Sequence, residues 1–395
     1  MDFLNKGTVP VPLHDTDHVP VSYPRYRLDF PLKRLPQETP PSLFTKAMRE
    51  SSTKASAEAK QRGMKIVVSL ALSCSLSIAQ HGPFPTAGSI ERLDPSLDQL
   101  IAPETQIEVI ASGFTWSEGP VWDKANKRLL FSDVPENTVF QWTKKDGLSV
   151  FLKPSGYTGV SDYGAEPGSN GLTFDNQGRL LFCEHGDRRV SMITKEGGGK
   201  ITLADKFEGK RFNSPNDLCV HSSGVIFFTD PPYGLPEKEN DPRRETEAFG
   251  VYRIDLDGTV TMAVSDLQRP NGVTLSHDGK TLYVAQSHGE QAWVMSYPVD
   301  EEGNVGKGKL FYDATELGKT DKGLPDGLKT DTAGNIWCTG PGGVMVISPQ
   351  GKLLGRILTG HRTANCAWGD DGSTLYLTAD YYLMRLQTLT KGTGF

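Results

Sequence analysis

Residues 170–185 read NGLTFDNQGRLLFCEH. A polar residue, Asn170, opens a short apolar strand. A turn at Gly178 follows, and then a second strand of strongly β-prone residues. The same design recurs five more times between Glu118 and Asp380. The other openings are Glu118-Gly-Pro-Val-Trp, Asn216-Asp-Leu-Cys-Val, Asn271-Gly-Val-Thr-Leu, Asp326-Gly-Leu-Lys-Thr and Asn365-Cys-Ala-Trp. Their second strands are KRLLFSDV, GVIFFTDP, KTLYVAQS, GNIWCTGP and STLYLTAD. Successive openings are 52, 46, 55, 55 and 39 residues apart. Spacing near fifty is that of a propeller blade of four strands with variable loops.

Two further markers keep step with the openings. A turn residue follows each one at Asn126, Gly178, Gly224, Gly279, Gly334 and Gly372. Beyond the second strand come Asp133, Glu184, Asp230, Gln286, Gly340 and Ala379, where the acids read as turn and inter-blade hydrogen-bonding residues. A third strand follows in every unit (TVFQW, RVSMI, GVYRI, AWVMSY, GVMVI, LMRLQ), and an outer fourth in all but the last. The missing outer strand is available upstream as Gln106–Ser112. The expectation is an all-β, six-bladed β-propeller over residues 106–390, its ring closed by that N-terminal strand so that no long edge stays unpaired.

The chain has 42 Gly and 26 Pro in 395 residues and a net charge of −6, which suits a β-rich globular protein. Residues 1–79 hold 11 Lys+Arg against 7 Asp+Glu, so the remainder carries −6 − 4 = −10. An acidic propeller without a Lys/Arg-rich run argues against nucleic acid as a partner. No apolar run is long enough for a stable membrane span. Met64-Lys65, the apolar stretch that follows and Ser77-Ile78-Ala79 have the parts of a secretory signal over 64–79, so a periplasmic or secreted location is expected. Residues 1–63 then read as a non-native or disordered extension, with a cytoplasmic tail before a weak anchor as the rival. Residues 80–105 read as a linker. Cys183, Cys219, Cys338 and Cys366 read as buried, unbridged thiols without zinc-site spacing.

In a propeller the first strand of each blade lines the central channel, so Glu118, Asn170, Asn216, Asn271, Asp326 and Asn365 should converge at one mouth. Each offers a side-chain oxygen, and the two acids bring −2 when ionised. Such a set suits a hard divalent cation, Ca²⁺ ahead of Mg²⁺ or Zn²⁺. Turn capping would explain any one Asn or Asp, but not six at matched positions.

The motifs Trp116-Ser-Glu118-Gly-Pro-Val-Trp122, Asn213-Ser-Pro-Asn216-Asp-Leu218, Thr229-Asp-Pro-Pro-Tyr233-Gly234 and Arg269-Pro-Asn271-Gly272 resemble those of bacterial gluconolactonases. The wider group includes regucalcin and is similar to calcium-dependent phosphotriesterases and paraoxonases. The resemblance spans about residues 106–385. It implies a catalytic divalent cation, with Glu118, Asn216, Asn271 and Asp326 at the positions of the family's metal-facing residues. Regucalcin's sugar-contacting Arg is replaced here by Ser214, so Asn170, Asn216, His185 and Tyr233 are the candidates for binding substrate.

The chemistry expected of such a site is hydrolysis of a sugar lactone, D-glucono-1,5-lactone to gluconate. The cation would polarise the carbonyl, and Asp326 would activate water or attack directly. Two rivals share the scaffold: an aryl-ester or phosphotriester hydrolase on the same metal site, and a binding propeller without catalysis.

Overall fold

The computed structural model describes residues 84–195 and 198–395. The expectations for residues 1–63 and 64–79 lie outside the described residues. Six antiparallel sheets are strung along the chain; the first five are each built on four consecutive strands, and the sixth on three that are joined by a strand from far upstream. Blade 1 comprises Ser117–Asp123, Arg128–Asp133, Thr138–Thr143 and Gly147–Leu152. Blades 2, 3, 4, 5 and 6 begin with inner strands Ser169–Phe174, Leu218–Val220, Pro270–Leu275, Leu328–Thr330 and Thr363–Gly369. Each inner strand packs against the inner strand of the next blade, and the sixth returns to the first.

Closure follows the expected route. Glu108–Ser112 lies antiparallel on the outer side of Tyr382–Gln387, with Glu108 opposite Arg385 and Ser112 opposite Tyr382. The pairing is reinforced by the Arg385 Nε to Glu108 Oε2 ion pair at 2.7 Å. The seam between blades 6 and 1 is filled by Trp122 and Tyr376, stacked at 5.7 Å and 15°, beside fully buried Leu129 and Phe131. Burying a large apolar side chain of this kind stabilises by about 1.5–3 kcal/mol.

The stretch expected as a linker has structure of its own. Ser89–Arg92 adds a fifth strand to blade 5, with Ser89 opposite Leu358 and Arg92 opposite Gly355. A 3-10 helix at Pro95–Gln99 follows, its first turn capped by Asp94, which accepts a hydrogen bond from Ser96 N. Leu97 and Ile101 are completely buried against Trp337, Val346 and Leu377. Apolar burial and an N-terminal cap order this segment, signals that its few short apolar positions conceal. Among the described residues no helix is long and apolar enough to cross a membrane. The four cysteines among the described residues are free, three buried and Cys219 half-buried.

Candidate active site at the channel mouth

The local geometry of the openings is set by glycine. A Cβ on Gly119 would lie 2.0 Å from the Asn170 carbonyl oxygen, and one on Gly272 would lie 2.2 Å from that of Asp326. On Gly327 it would meet the Asn365 side chain at 2.0 Å. At these openings the following residue is therefore the point where one blade touches the next, and there glycine leaves room; Asp217 and Cys366 take that place in two units. Second-strand hydroxyls tie the same joints. Ser132 donates to the Asn170 carbonyl at 2.8 Å, Thr229 to Asn271 at 2.6 Å and Thr339 to Ala364 at 2.9 Å. The markers beyond the second strand hold the approach to each opening. Asp133 accepts from Thr115 N and Trp116 N, Asp230 from Asn213 N and Ser214 N, and Gln286 Oε1 from Gln268 N. Burial pushes the Asp133 carboxyl up to about 6 and that of Asp230 up to about 7, against these bonds.

A pocket of about 570 Å³ opens over this ring. Its wall includes Glu118, Asn170, Asn216, Tyr233, Asn271 and Asp326. Two expected members do not line it, although the Asn365 side chain still hydrogen-bonds Glu118. Asn365 is buried beneath, its Oδ1 accepting from Cys366 N at 2.9 Å. His185, expected to bind substrate, is 0 % exposed and does not reach the pocket surface. Its ring lies on Gly234, where a Cβ would be 2.4 Å from His185 Cγ. Ser214 also faces away: its hydroxyl donates to the Pro231 carbonyl at 2.5 Å and accepts from Gly234 N. It holds the Thr229–Gly234 turn in place.

The pocket also holds residues that the repeat does not mark. Trp116, Glu166, Arg269 and Ser287 line it, together with the segment 318–324. Glu166 comes from the blade 1–2 connection, residues 153–168. Asp217, the second residue of its opening, is buried; the following Leu218 N donates to its Oδ1 at 2.9 Å, and Val273 N of blade 4 to its Oδ2 at 3.4 Å.

The electrostatics are those of carboxylates crowded in a dry ring. Burial, with Asp217 and Glu166 nearby, pushes Glu118 up to about 8, although Gly119 N donates to its Oε2 at 2.9 Å. Burial first, then Glu118, Asp217 and Glu166, hold Asp326 well above the usual carboxylate range. The amide oxygens of Asn170 and Asn271 are buried without a hydrogen-bond partner. Leaving such an atom unsatisfied costs about 1–3 kcal/mol. The Tyr233 hydroxyl, at the same wall, has no hydrogen bond of sound geometry. The neighbouring Ser287 hydroxyl is committed to the Pro325 carbonyl and to Asn271 Nδ2.

Two carboxylates and orphaned amide oxygens form an oxygen-only donor set, and they fit a hard divalent cation. Among the described residues no group of three or more His, Cys, Asp and Glu side chains could hold a metal. A cation at this mouth would therefore depend on the amide oxygens as well as on Glu118 and Asp326.

The family described as SMP-30/Gluconolactonase/LRE-like region matches residues 116–380. A gluconolactonase of Zymomonas mobilis is 38% identical over 313 residues, 78% of this chain and 88% of the relative. A pentonolactonase of Haloferax volcanii is 28% identical over 285 residues, 69% of this chain and 84% of the relative. Among solved structures, a gluconolactonase of Xanthomonas campestris superposes with a TM-score of 0.66 at 29% identity, covering 78% of this chain and 99% of that one. The match over most of the ring, together with this identity, establishes that the chain belongs to the SMP-30/gluconolactonase/LRE-like family.

Proposed function

We propose that the protein is a sugar-lactone hydrolase, with D-glucono-1,5-lactone as the first substrate to test, acting in the pocket at the channel mouth. The observation that carries this reading is the pairing of Glu118 and Asp326 with the unsatisfied oxygens of Asn170 and Asn271 in one polar pocket. It is supported by 38% identity to a gluconolactonase over 88% of that relative. The pocket volume, about 570 Å³, falls within the range of small-molecule sites.

Glu118, Asn216, Asn271 and Asp326 would hold a divalent cation, Ca²⁺ by donor type. Bound there, it supplies charge stabilisation for a carbonyl oxygen that becomes negative in the tetrahedral intermediate. The remaining work falls to the chain's own groups. Asp326, half-buried and open to the pocket, takes a proton from the attacking water. Tyr233, with an uncommitted hydroxyl, and Asn170 bind substrate hydroxyl groups and orient the ring. The test is proton release from D-glucono-1,5-lactone above the spontaneous rate, with and without chelator. Enzymatic turnover that chelator leaves unchanged would remove the cation from the reading. Absence of turnover on any sugar lactone would remove the reading itself.

A further inference from the structure

Glu166 and His185 form a unit outside the ring of openings. The connection 153–168 is pinned at both ends. At its start Asn137 Oδ1 accepts from Ser155 N, Gly156 N and Tyr157 N. At its end the carbonyls of Pro167 and Gly168 accept from Gly186 N at 3.2 Å and His185 N at 3.1 Å. The Tyr163 hydroxyl closes the turn on the His185 carbonyl at 3.0 Å. Glu166 is thus held at the pocket wall, 33% exposed, with its Oε2 3.7 Å from His185 Nδ1. Neither nitrogen of the buried His185 ring has a hydrogen bond of sound geometry. The buried ring meets Glu166 through its backbone as well as its carboxyl, which faces the pocket, and so supports that carboxyl.

We propose that Glu166 is the general acid of the site, protonating the ring oxygen that leaves when the lactone opens, and that His185 is its positioning residue. The proposal rests on the lactone-hydrolase reading above. The step balances as follows. Water forms the new C–O bond and gives one proton to Asp326. The bond from the carbonyl carbon to the ring oxygen breaks, its electron pair stays on that oxygen, and Glu166 supplies the proton. Asp326 returns its proton through solvent to Glu166, so that one water is consumed.

Burial raises the Glu166 carboxyl above the ordinary value, and Lys238 opposes this only in part. Glu118 and Asp326 face the same space, and each is pushed up by Glu166 in turn. A divalent cation would cancel the charge of those two carboxylates but leave the burial of Glu166 unchanged. His185, pushed down to about 3 by burial, is neutral and offers Glu166 no opposing charge.

An acid is needed when the leaving group is an alkoxide and dispensable when it is a phenolate, which the test uses. Wild type, Glu166→Gln and His185→Asn are compared on D-glucono-1,5-lactone, δ-valerolactone and dihydrocoumarin, an aryl lactone. Glu166→Gln should lower kcat on both alkyl lactones by about 100-fold or more, and on the aryl lactone by less than about 3-fold. His185→Asn should show the same selectivity with a smaller loss. Equal loss on all three, or no loss, overturns the proposal. Loss on gluconolactone alone also overturns it, because Glu166 would then be binding sugar hydroxyls. If wild type opens only alkyl lactones, the pH profile decides: its kcat should fall at alkaline pH as Glu166 loses its proton, and Glu166→Gln should lack that limb. A wild type inactive on every lactone defeats the lactone-hydrolase reading instead, and this proposal with it.

Discussion

Glu118→Gln should make the cation-free protein more stable and the enzyme inactive. Burial pushes the Glu118 carboxyl from 4.5 up to about 8. Its proton affinity is therefore higher in the folded chain than in the unfolded one. The linkage sign follows: the penalty is absent below about 4.5 and grows as pH rises toward 8. At about 1.4 kcal/mol for each tenfold change in proton activity, the penalty at pH 7.5 is at most about 4 kcal/mol. Glu118 and Asp326 push on one another, and a proton taken by either relieves both, so that figure is a ceiling. The substitution also weakens the bond from Gly119 N to Oε2, a loss of about 1 kcal/mol. A net gain of about 2–3 kcal/mol remains, on the order of 3–5 °C in Tm for a domain of this size. The assay is thermal unfolding in chelator at pH 5 and pH 7.5, then with Ca²⁺ added. Wild type should lose Tm between the two pH values and regain it with Ca²⁺, by about 2.7 kcal/mol at a hundredfold excess over Kd. Glu118→Gln should lose less Tm with pH and gain little from Ca²⁺. The reasoning is refuted if the variant is the less stable protein at pH 7.5 in chelator, or if Ca²⁺ stabilises both equally.

Asp326→Asn should lower kcat on gluconolactone by about 100-fold or more while the fold persists, as read by circular dichroism and initial rates. Tyr233→Phe should leave Tm within about 1 °C, because the hydroxyl has no intramolecular bond of sound geometry to lose. Its KM should rise about 2- to 10-fold, the worth of one hydrogen bond to substrate. Gly327→Ala places a methyl 2.0 Å from the Asn365 side chain and should cost about 1–3 kcal/mol in denaturant unfolding. Thr229→Val removes the donor to the Asn271 carbonyl and should cost about 1 kcal/mol, with KM for the lactone rising as the opening loosens.

The sixfold pattern made the blades and the ring of opening residues legible, because each unit repeats the same strand, turn and strand at matched positions. It also located the pocket wall, since Glu118, Asn170, Asn216, Asn271 and Asp326 are equivalent in the repeat and therefore meet in space. What escaped was what the repeat does not encode. Glu166 lies in a connection between blades, outside the repeated strand, turn and strand. His185 ends a strand, and its position there does not reveal that Gly234 folds down onto the ring. Asp217 follows its opening where most units have glycine, but its turn toward Leu218 N and Val273 N depends on how the blades meet. Residues 89–101 have too few apolar positions for a strand and a helical turn to stand out. Their order comes from an edge in blade 5 and a cavity beside Trp337 that only the folded ring supplies.

The pairing of Glu108–Ser112 with Tyr382–Gln387 sets an order of events in the life of the chain. Glu108 and Arg385 meet across 277 residues. Bringing such distant segments together costs about 3 kcal/mol more than closing a ten-residue hairpin. During synthesis, the outer strand of blade 6 emerges before any of that blade, and Ser89–Arg92 likewise waits for Leu353–Leu358. Two edge-forming segments therefore lack their sheet partners until residues 353–387 have been made. In that interval they are the part of the nascent protein most exposed to pairing with another chain.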